Sequence, residues 1–375
     1  MGGWAWRWVA WSTTGAYVPS AGSTLTQNAS YFGSSFYLHI RGFNSEGVPN
    51  GTLDLGPFHY WDGTHPVTPT VVDDGAYTTA DYIHAQWSPI GPSADYYEYA
   101  VGTALDFQSI IPFTNVGLAR EITHDNLSLA EGETYYVTVR GTAGSNNVTG
   151  SCDGITVAPR IERISEAKAL VDTDSAALYG KTVTAVFPDY AYVQEQRGPG
   201  VRVFSRKTLA VGDVVDLAGR MAGADTEKRM EADTVVERSS GSVGPTAMAG
   251  LYLGGRAFEY SPESQTGQQA VSAYCDGVLL ELPSINNVGM LVTVLGRVTQ
   301  SNIDGFYLDD GSGWNDFAVT GPGSPPGVKV SVPLGVTTPP EGSYAVVTGI
   351  NSVSQADVGL RRLVLVRQQS DIVVY

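Results

Sequence analysis

Four tryptophans crowd the start of the chain, at Trp4, Trp6, Trp8 and Trp11. In an extended strand successive side chains alternate faces, so Trp4, Trp6 and Trp8 share one face and Trp11 takes the other. A flat indole row can stack pyranose rings, and it can equally pack a core or a subunit interface. Tyr97 and Tyr99 stand at the matching places of a later repeat, which favours packing. A second cluster runs from Asp309 through Asp310, Trp314 and Asn315 to Asp316. Grouped carboxylates suit a hard cation such as calcium, but the spacing and final Glu of a calcium-binding hand are missing, and an Asp-Gly turn explains the same residues. A third group combines Arg197, Arg202, Arg206 and Lys207 with Tyr190 and Tyr192, the residue types that grip single-stranded nucleic acid. The five histidines, His39, His59, His65, His84 and His124, include no close metal-binding pair. No nucleophile elbow, dinucleotide turn or phosphate loop occurs. The expectation is therefore a protein with no catalytic residues, no cofactor and no resident metal.

The whole chain argues against the third group. Its 375 residues carry a formal charge of −16, which repels phosphate backbones and anionic lipid. Nucleic acid and membrane insertion are thus poor expectations. Hydrophobic residues make up 42%, enough for several packed cores rather than disorder. The two cysteines, Cys152 and Cys275, form no CxxC and leave open either a distant disulfide or two isolated thiols. The N-terminus lacks the basic and long apolar regions of a leader, so export has to be argued from domain type. Asn28, Asn50, Asn126 and Asn147 each open a glycosylation-type tripeptide.

Elements that could position these groups are short and alternating: 36–41 (FYLHIR), 135–140 (YYVTVR), 181–187 (KTVTAVF), 190–194 (YAYVQ) and 344–349 (YAVVTG). Period-two alternation between Gly, Pro, Asn and Asp clusters is the mark of strands in sandwiches or barrels. One helical patch is expected at 165–170, capped by Ser165. Two internal repeats organise the rest. In the N-terminal half, 7–13 and 35–42 align with 98–104 and 134–141. In the C-terminal half, 180–186, 190–196 and 200–204 align with 291–299, 305–311 and 316–319, each series continuing into a further strand pair.

The segment 68–157 resembles bacterial fibronectin type III modules, through 69–75 (PTVVDDG), Trp87, 97–102 and 135–140. The stretches 164–238 and 287–375 resemble the OB-fold repeats of large exported bacterial proteins, through 180–187, 307–313 (YLDDGSG) and 344–349. The resemblance implies an all-β chain: a partial sandwich at 1–64, a sandwich at 65–158, an OB-like barrel at 159–240 and a second at 241–375 carrying an N-terminal insertion. It also implies a secreted or cell-surface, non-catalytic structural or adhesive role. The first sandwich starts at the strand equivalent to the middle of its neighbour, so the expectation is either that its two opening strands come from another subunit or that they belong to sequence upstream of residue 1. An open sandwich can accept a strand from another chain. The expected outcome is self-association into a polymer, with Trp4, Trp6, Trp8 and Trp11 as acceptor and Ile372, Val373, Val374 and Tyr375 as donor. The alternative is an accessory polysaccharide-binding region of a secreted enzyme.

Overall fold

The computed structural model describes residues 35–43 and 49–59 as backbone, and 66–91, 94–105, 108–316, 327–356 and 358–375 in full. Trp4, Trp6, Trp8 and Trp11, on which the expected partial sandwich opens, lie outside these residues. Strands dominate, and the α-helix among the described residues is six residues long. No described helix is long and apolar enough to cross a membrane. The chain forms two compact units, one drawn from residues before 73, 86–122 and 136–152, the other from 73–85, 123–135 and 153–375.

The first stretch is an antiparallel pair, β1 (Ser35–Phe43) and β2 (Pro49–His59), with two register shifts. Two sheets follow. One contains β3 (Val71–Asp73), β5 (Ile83–Trp87) and β8 (Glu121–His124). The other runs β4 (Tyr77–Thr78), β11 (Ile155–Val157), β9 (Thr134–Ala143), β6 (Tyr96–Gly102), β7 (Ile111–Gly117), with β10 (Asn146–Ser151) also on β9. Alternation in 135–140 does become a strand, and the Tyr97 ring lies 6.0 Å from that of Trp87 on the other sheet. The Tyr97 hydroxyl accepts the Ile90 amide at 3.0 Å, so its polar end is satisfied in the core. Cys152 is buried and Cys275 half-buried, and no disulfide joins them.

Residues 160–240 close into a small barrel. Its strands are β12 (Arg160–Ile161), β13 (Ser175–Val186), β14 (Ala191–Gln194), β15 (Gly200–Ser205), β16 (Asp213–Ala222) and β17 (Arg229–Ser240). Around the barrel the order is β13-β14-β15-β17-β16 and back to β13, with β15 and β17 parallel. Val183, Val193, Val203, Leu217 and Met230 fill it. Helix α1 (Ile164–Ala169) plugs one end with Ile164 and Ala167. The expected Ser165 cap is corrected: Arg163 is the N-cap, and Ser165 sits inside the first turn. The Glu195 side chain accepts the Ile164 amide at 2.5 Å, so the orphan donor at the helix start is satisfied from a neighbouring turn.

The second barrel repeats that order. After β18 (Thr246–Ala247) come β19 (Phe258–Ser261), β20 (Thr266–Gln268), β21 (Ser272–Cys275) and β22 (Val278–Glu281) of the insertion. Then follow β23 (Leu291–Asn302), β24 (Gly305–Asp309), β25 (Trp314–Asn315), β26 (Val328–Ser331), β27 (Tyr344–Gln355), β28 (Leu360–Leu365) and β29 (Ile372–Val374). The ring is β23-β24-β26-β28-β27, closed by β23 on β27, with β26 and β28 parallel. The strand that follows β24 in this ring is β26, and the expected strand at 316–319 lies, beyond Asp316, outside the described residues. The stretch before 316 is diverted: β25 pairs with β21 and so belongs to the insertion sheet.

The insertion is a strap laid over both barrels. On the first, Val171 bridges Thr266, and the Gln268 side chain accepts the Lys228 amide at 2.7 Å. On the second, Val271 bridges Leu360. Arg362 anchors this end: it is fully buried, donates to Asp316 at 2.8 Å, and reaches the Gly250 and Trp314 carbonyls.

Burial outweighs the Arg362 charge at Asp316 and pushes its carboxyl up to about 6. That exceeds the unfolded value of about 3.9, so the fold holds the proton more tightly. Asp316 therefore favours folding at low pH, and its contribution falls as pH rises from about 4 through 6. Thermal melts between pH 7.5 and 5.5 should show this stabilisation on acidification, and Asp316→Asn should flatten that slope. A second outcome tests backbone fit. A Cβ on Gly289, whose φ is +93°, would lie 2.4 Å from the Gly200 carbonyl oxygen of the first barrel. Gly289→Ala should cost about 2 kcal/mol or more in a denaturant titration.

Candidate functional site

The chemistry-bearing groups of the sequence go to different places. In the 309–316 loop the Gly311 amide donates to Asp309 at 2.9 Å, and the Ser312 and Leu251 amides donate to Asp310 at 3.0 and 3.1 Å. These are turn contacts that pin the loop to the 3₁₀ turn at Gly250–Tyr252. Among the described residues no group of three or more His, Cys, Asp or Glu is placed to share a metal ion. His84 pairs with Asp74 at 2.6 Å. The strand holding Ile372, Val373 and Val374 is already paired with β27 of its own barrel, and Tyr375 continues that pairing.

Of the Arg–Tyr patch, Tyr190, Tyr192 and Arg202 are brought together, but facing inward, whereas Arg197, Arg206 and Lys207 stay exposed. The hairpin of β14 and β15 sets Tyr192 directly opposite Arg202. Ala191 and Val193 point into the first barrel, so Tyr192 and Gln194 point out of it. Both are nevertheless buried, because the second barrel covers that face. Tyr192 packs with Ala185 against Leu291, Ile350 and Leu365. The Leu291 amide donates to Gln194 Oε1 at 2.7 Å.

At the centre lies Glu227, from the turn between β16 and β17. Its Oε2 accepts from Arg202, from Ser352 Oγ at 2.7 Å and from the Tyr192 hydroxyl at 3.1 Å. Arg202 also donates to the Tyr192 hydroxyl at 2.9 and 2.8 Å and to Ser352 at 3.1 Å. The guanidinium lies 4.6 Å from the Tyr190 ring centre. The other carboxylate oxygen of Glu227 is buried without a hydrogen-bond partner. Burial, helped by the Glu227 charge, lifts the Tyr192 phenol well above its ordinary range, so it stays a neutral donor. The nearby Lys168 is fully enclosed and donates to the Val288 carbonyl at 2.8 Å, and burial brings its ammonium down to about 8 against the pull of Glu227. This is a clamp between barrels, closed to a substrate. Glu227, Ser352 and Lys168 were not foreseen from sequence.

Two further clamps surround it. Arg367 grips Asp371 at 2.9 and 2.7 Å and donates to the Thr184 carbonyl of the first barrel at 2.9 Å. Arg238 bridges Asp216 and Asp81, each at 2.6 Å, while Tyr179 accepts the Ala80 amide and Thr234 donates to the Tyr77 carbonyl. Segment 77–81 is thereby fixed to the first barrel over Ala158, Ala177 and Ala218.

One open surface keeps aromatic and charged groups together. A groove of about 470 Å³ on the first barrel is lined by Phe204, Arg206, Arg229, Glu231 and Asp189. Phe204 packs against Tyr190 at 5.7 Å, and the Arg229 guanidinium stands 5.7 Å from the Phe204 ring centre.

No family model and no curated protein matches the chain. A solved structure of chicken CNTN1 FN1-FN3 domains aligns over 55% of this chain and 78% of its own, at 12% identity and a TM-score of 0.19. At that score the likeness carries no argument about fold or role.

The clamp makes a specific energetic statement. Removing one partner of a buried pair leaves an uncompensated charge, so Arg202→Ala should destabilise the protein by about 3–5 kcal/mol. The Arg202→Met, Glu227→Met, Tyr192→Phe triple variant should recover most of that loss, as read from denaturant midpoints.

Proposed function

We propose that this chain is a non-catalytic extracellular structural or adhesive protein, a string of sandwich-type and OB-like modules that self-associates. One observation carries the reading. The residues with the richest chemistry, Tyr192, Arg202, Glu227 and Ser352, are spent on holding one barrel against the next. The strap and the Arg367 bridge serve the same end, and Arg238 holds segment 77–81 on the first barrel. A chain that directs its buried charges to module junctions is built to transmit force or hold a fixed spacing. Assembly by strand pairing fits this role, and because β29 is engaged in its own barrel, it takes the form of strand addition rather than donation. Sedimentation velocity and electron microscopy of the full chain should show concentration-dependent assemblies. A strictly monomeric chain at every concentration would end the self-association reading.

The Phe204 groove favours a second reading, an accessory carbohydrate-binding region. An aromatic floor between Arg206, Arg229 and Glu231 suits the apolar face and hydroxyls of a sugar ring. Affinity electrophoresis through neutral polysaccharides should retard the chain, and Phe204→Ala should weaken that retention about tenfold, the equivalent of roughly 1.4 kcal/mol.

A further inference from the structure

We infer that the free edge of β29, with the sheet face beside it, pairs antiparallel with the same edge of a second copy of this chain. The inference rests on the self-association reading above and names its surface.

β29 lies at the end of its sheet, and among the described residues no strand occupies its outer edge. The backbone pattern shows which groups are offered there. Tyr375 and Tyr344 exchange both of their backbone hydrogen bonds. In an antiparallel pair such residues alternate with ones whose polar groups turn the other way. The N–H and C=O of Val374 therefore point out from the edge. The outer face beside it is ordered in rows across three strands. Leu295, Val346 and Val373 form one row, and Arg297, Tyr344 and Tyr375 the next. Leu295 is 56% exposed, Tyr344 56% and Tyr375 77%. No lysine or proline guards the edge, the usual devices against unwanted pairing.

Two features of the surface select a second copy as the occupant. The first is charge. The chain carries −16, yet the side chains of both rows include no carboxylate and a single cation, Arg297. Two equally acidic chains meet with least repulsion where neither presents an acid, whereas a basic partner is drawn to the acidic remainder. The second is register. If Val374 faces its own equivalent across a two-fold axis, both copies exchange N–H···O bonds at that residue. Val373 of each then stands opposite Tyr375 of the other on the exposed face. β-branched against aromatic is a favourable cross-strand pair. The contact is the same patch on both copies, so it closes at a dimer instead of propagating.

Sedimentation of the full chain, with Val374→Pro and Val373→Lys beside it, tests this. Val374 spends no internal backbone bond through its N–H, and Val373 is solvent-facing, so both variants should keep the wild-type thermal melt. Val211→Lys, an exposed change on the first barrel, serves as the control. The expected result is a wild-type dimer, unchanged in the control and weakened by about tenfold or more in both edge variants, a loss of at least roughly 1.4 kcal/mol. The Val374 amide should also gain hydrogen-exchange protection on dimerisation. A monomeric wild type would overturn the self-association reading itself. A wild type that associates as strongly as both edge variants would overturn this edge alone.

Discussion

A carboxylate buried between two packed modules must be matched by hydrogen bonds, because desolvation is expensive and does not relax away. Glu227 imposes that condition on this chain. Its partners come from β14, β15 and β27, so the two barrels can sit in one relative position only. The apolar contacts around Tyr192 and Leu291 supply attraction without direction. Arg202, Tyr192 and Ser352 supply the direction, since each must reach one oxygen within about 3 Å. Gly200 and Gly289 let the two backbones approach closely enough for this to happen, as any Cβ there would strike the opposing carbonyl.

The same logic explains why strands that look half-polar are buried throughout. β14 has all four residues buried, and β28 buries two adjacent arginines. A single-barrel strand would show one face to solvent. Here the second face meets another module or the strap, and the long polar side chains found there are paired, although one oxygen each of Glu227 and Asp316 is left without a hydrogen bond. Arg362 with Asp316, and Lys228 with Asp172 and the Leu170 carbonyl, follow this pattern.

Local periodicity was enough to read most strands. The alternation of 135–140 and 181–187 became β9 and the long β13, and the internal repeat in the C-terminal half corresponds to two barrels of identical strand order. What failed was whatever depended on distant partners. Ser165 has the character of a cap, but Glu195 supplies the acceptor from the turn after β14. The loop at 309–316 reads as an Asp-Gly turn, but its Trp314 and Asn315 pair with β21 of the insertion. The clamp itself was illegible. Glu227 lies in a polar turn, and its partners are 25, 35 and 125 residues away in sequence. Arg202 and Tyr192 were visible as a pair of suitable type, yet their pattern fits an exposed nucleic-acid face as well as a covered one. Only the neighbouring module decides between them.

The strap has a consequence for how the protein is made. It is translated after the first barrel and before the ring strands of the second, yet it touches both. When the first barrel leaves the ribosome, the Lys228 amide faces water where Gln268 will later sit, and the Glu227 carboxylate has no Ser352 to meet. That barrel's outer face is covered only once its successor is synthesised. The order of biosynthesis thus turns two look-alike modules into a sequential pair in which the later one supplies partners that the earlier one leaves open.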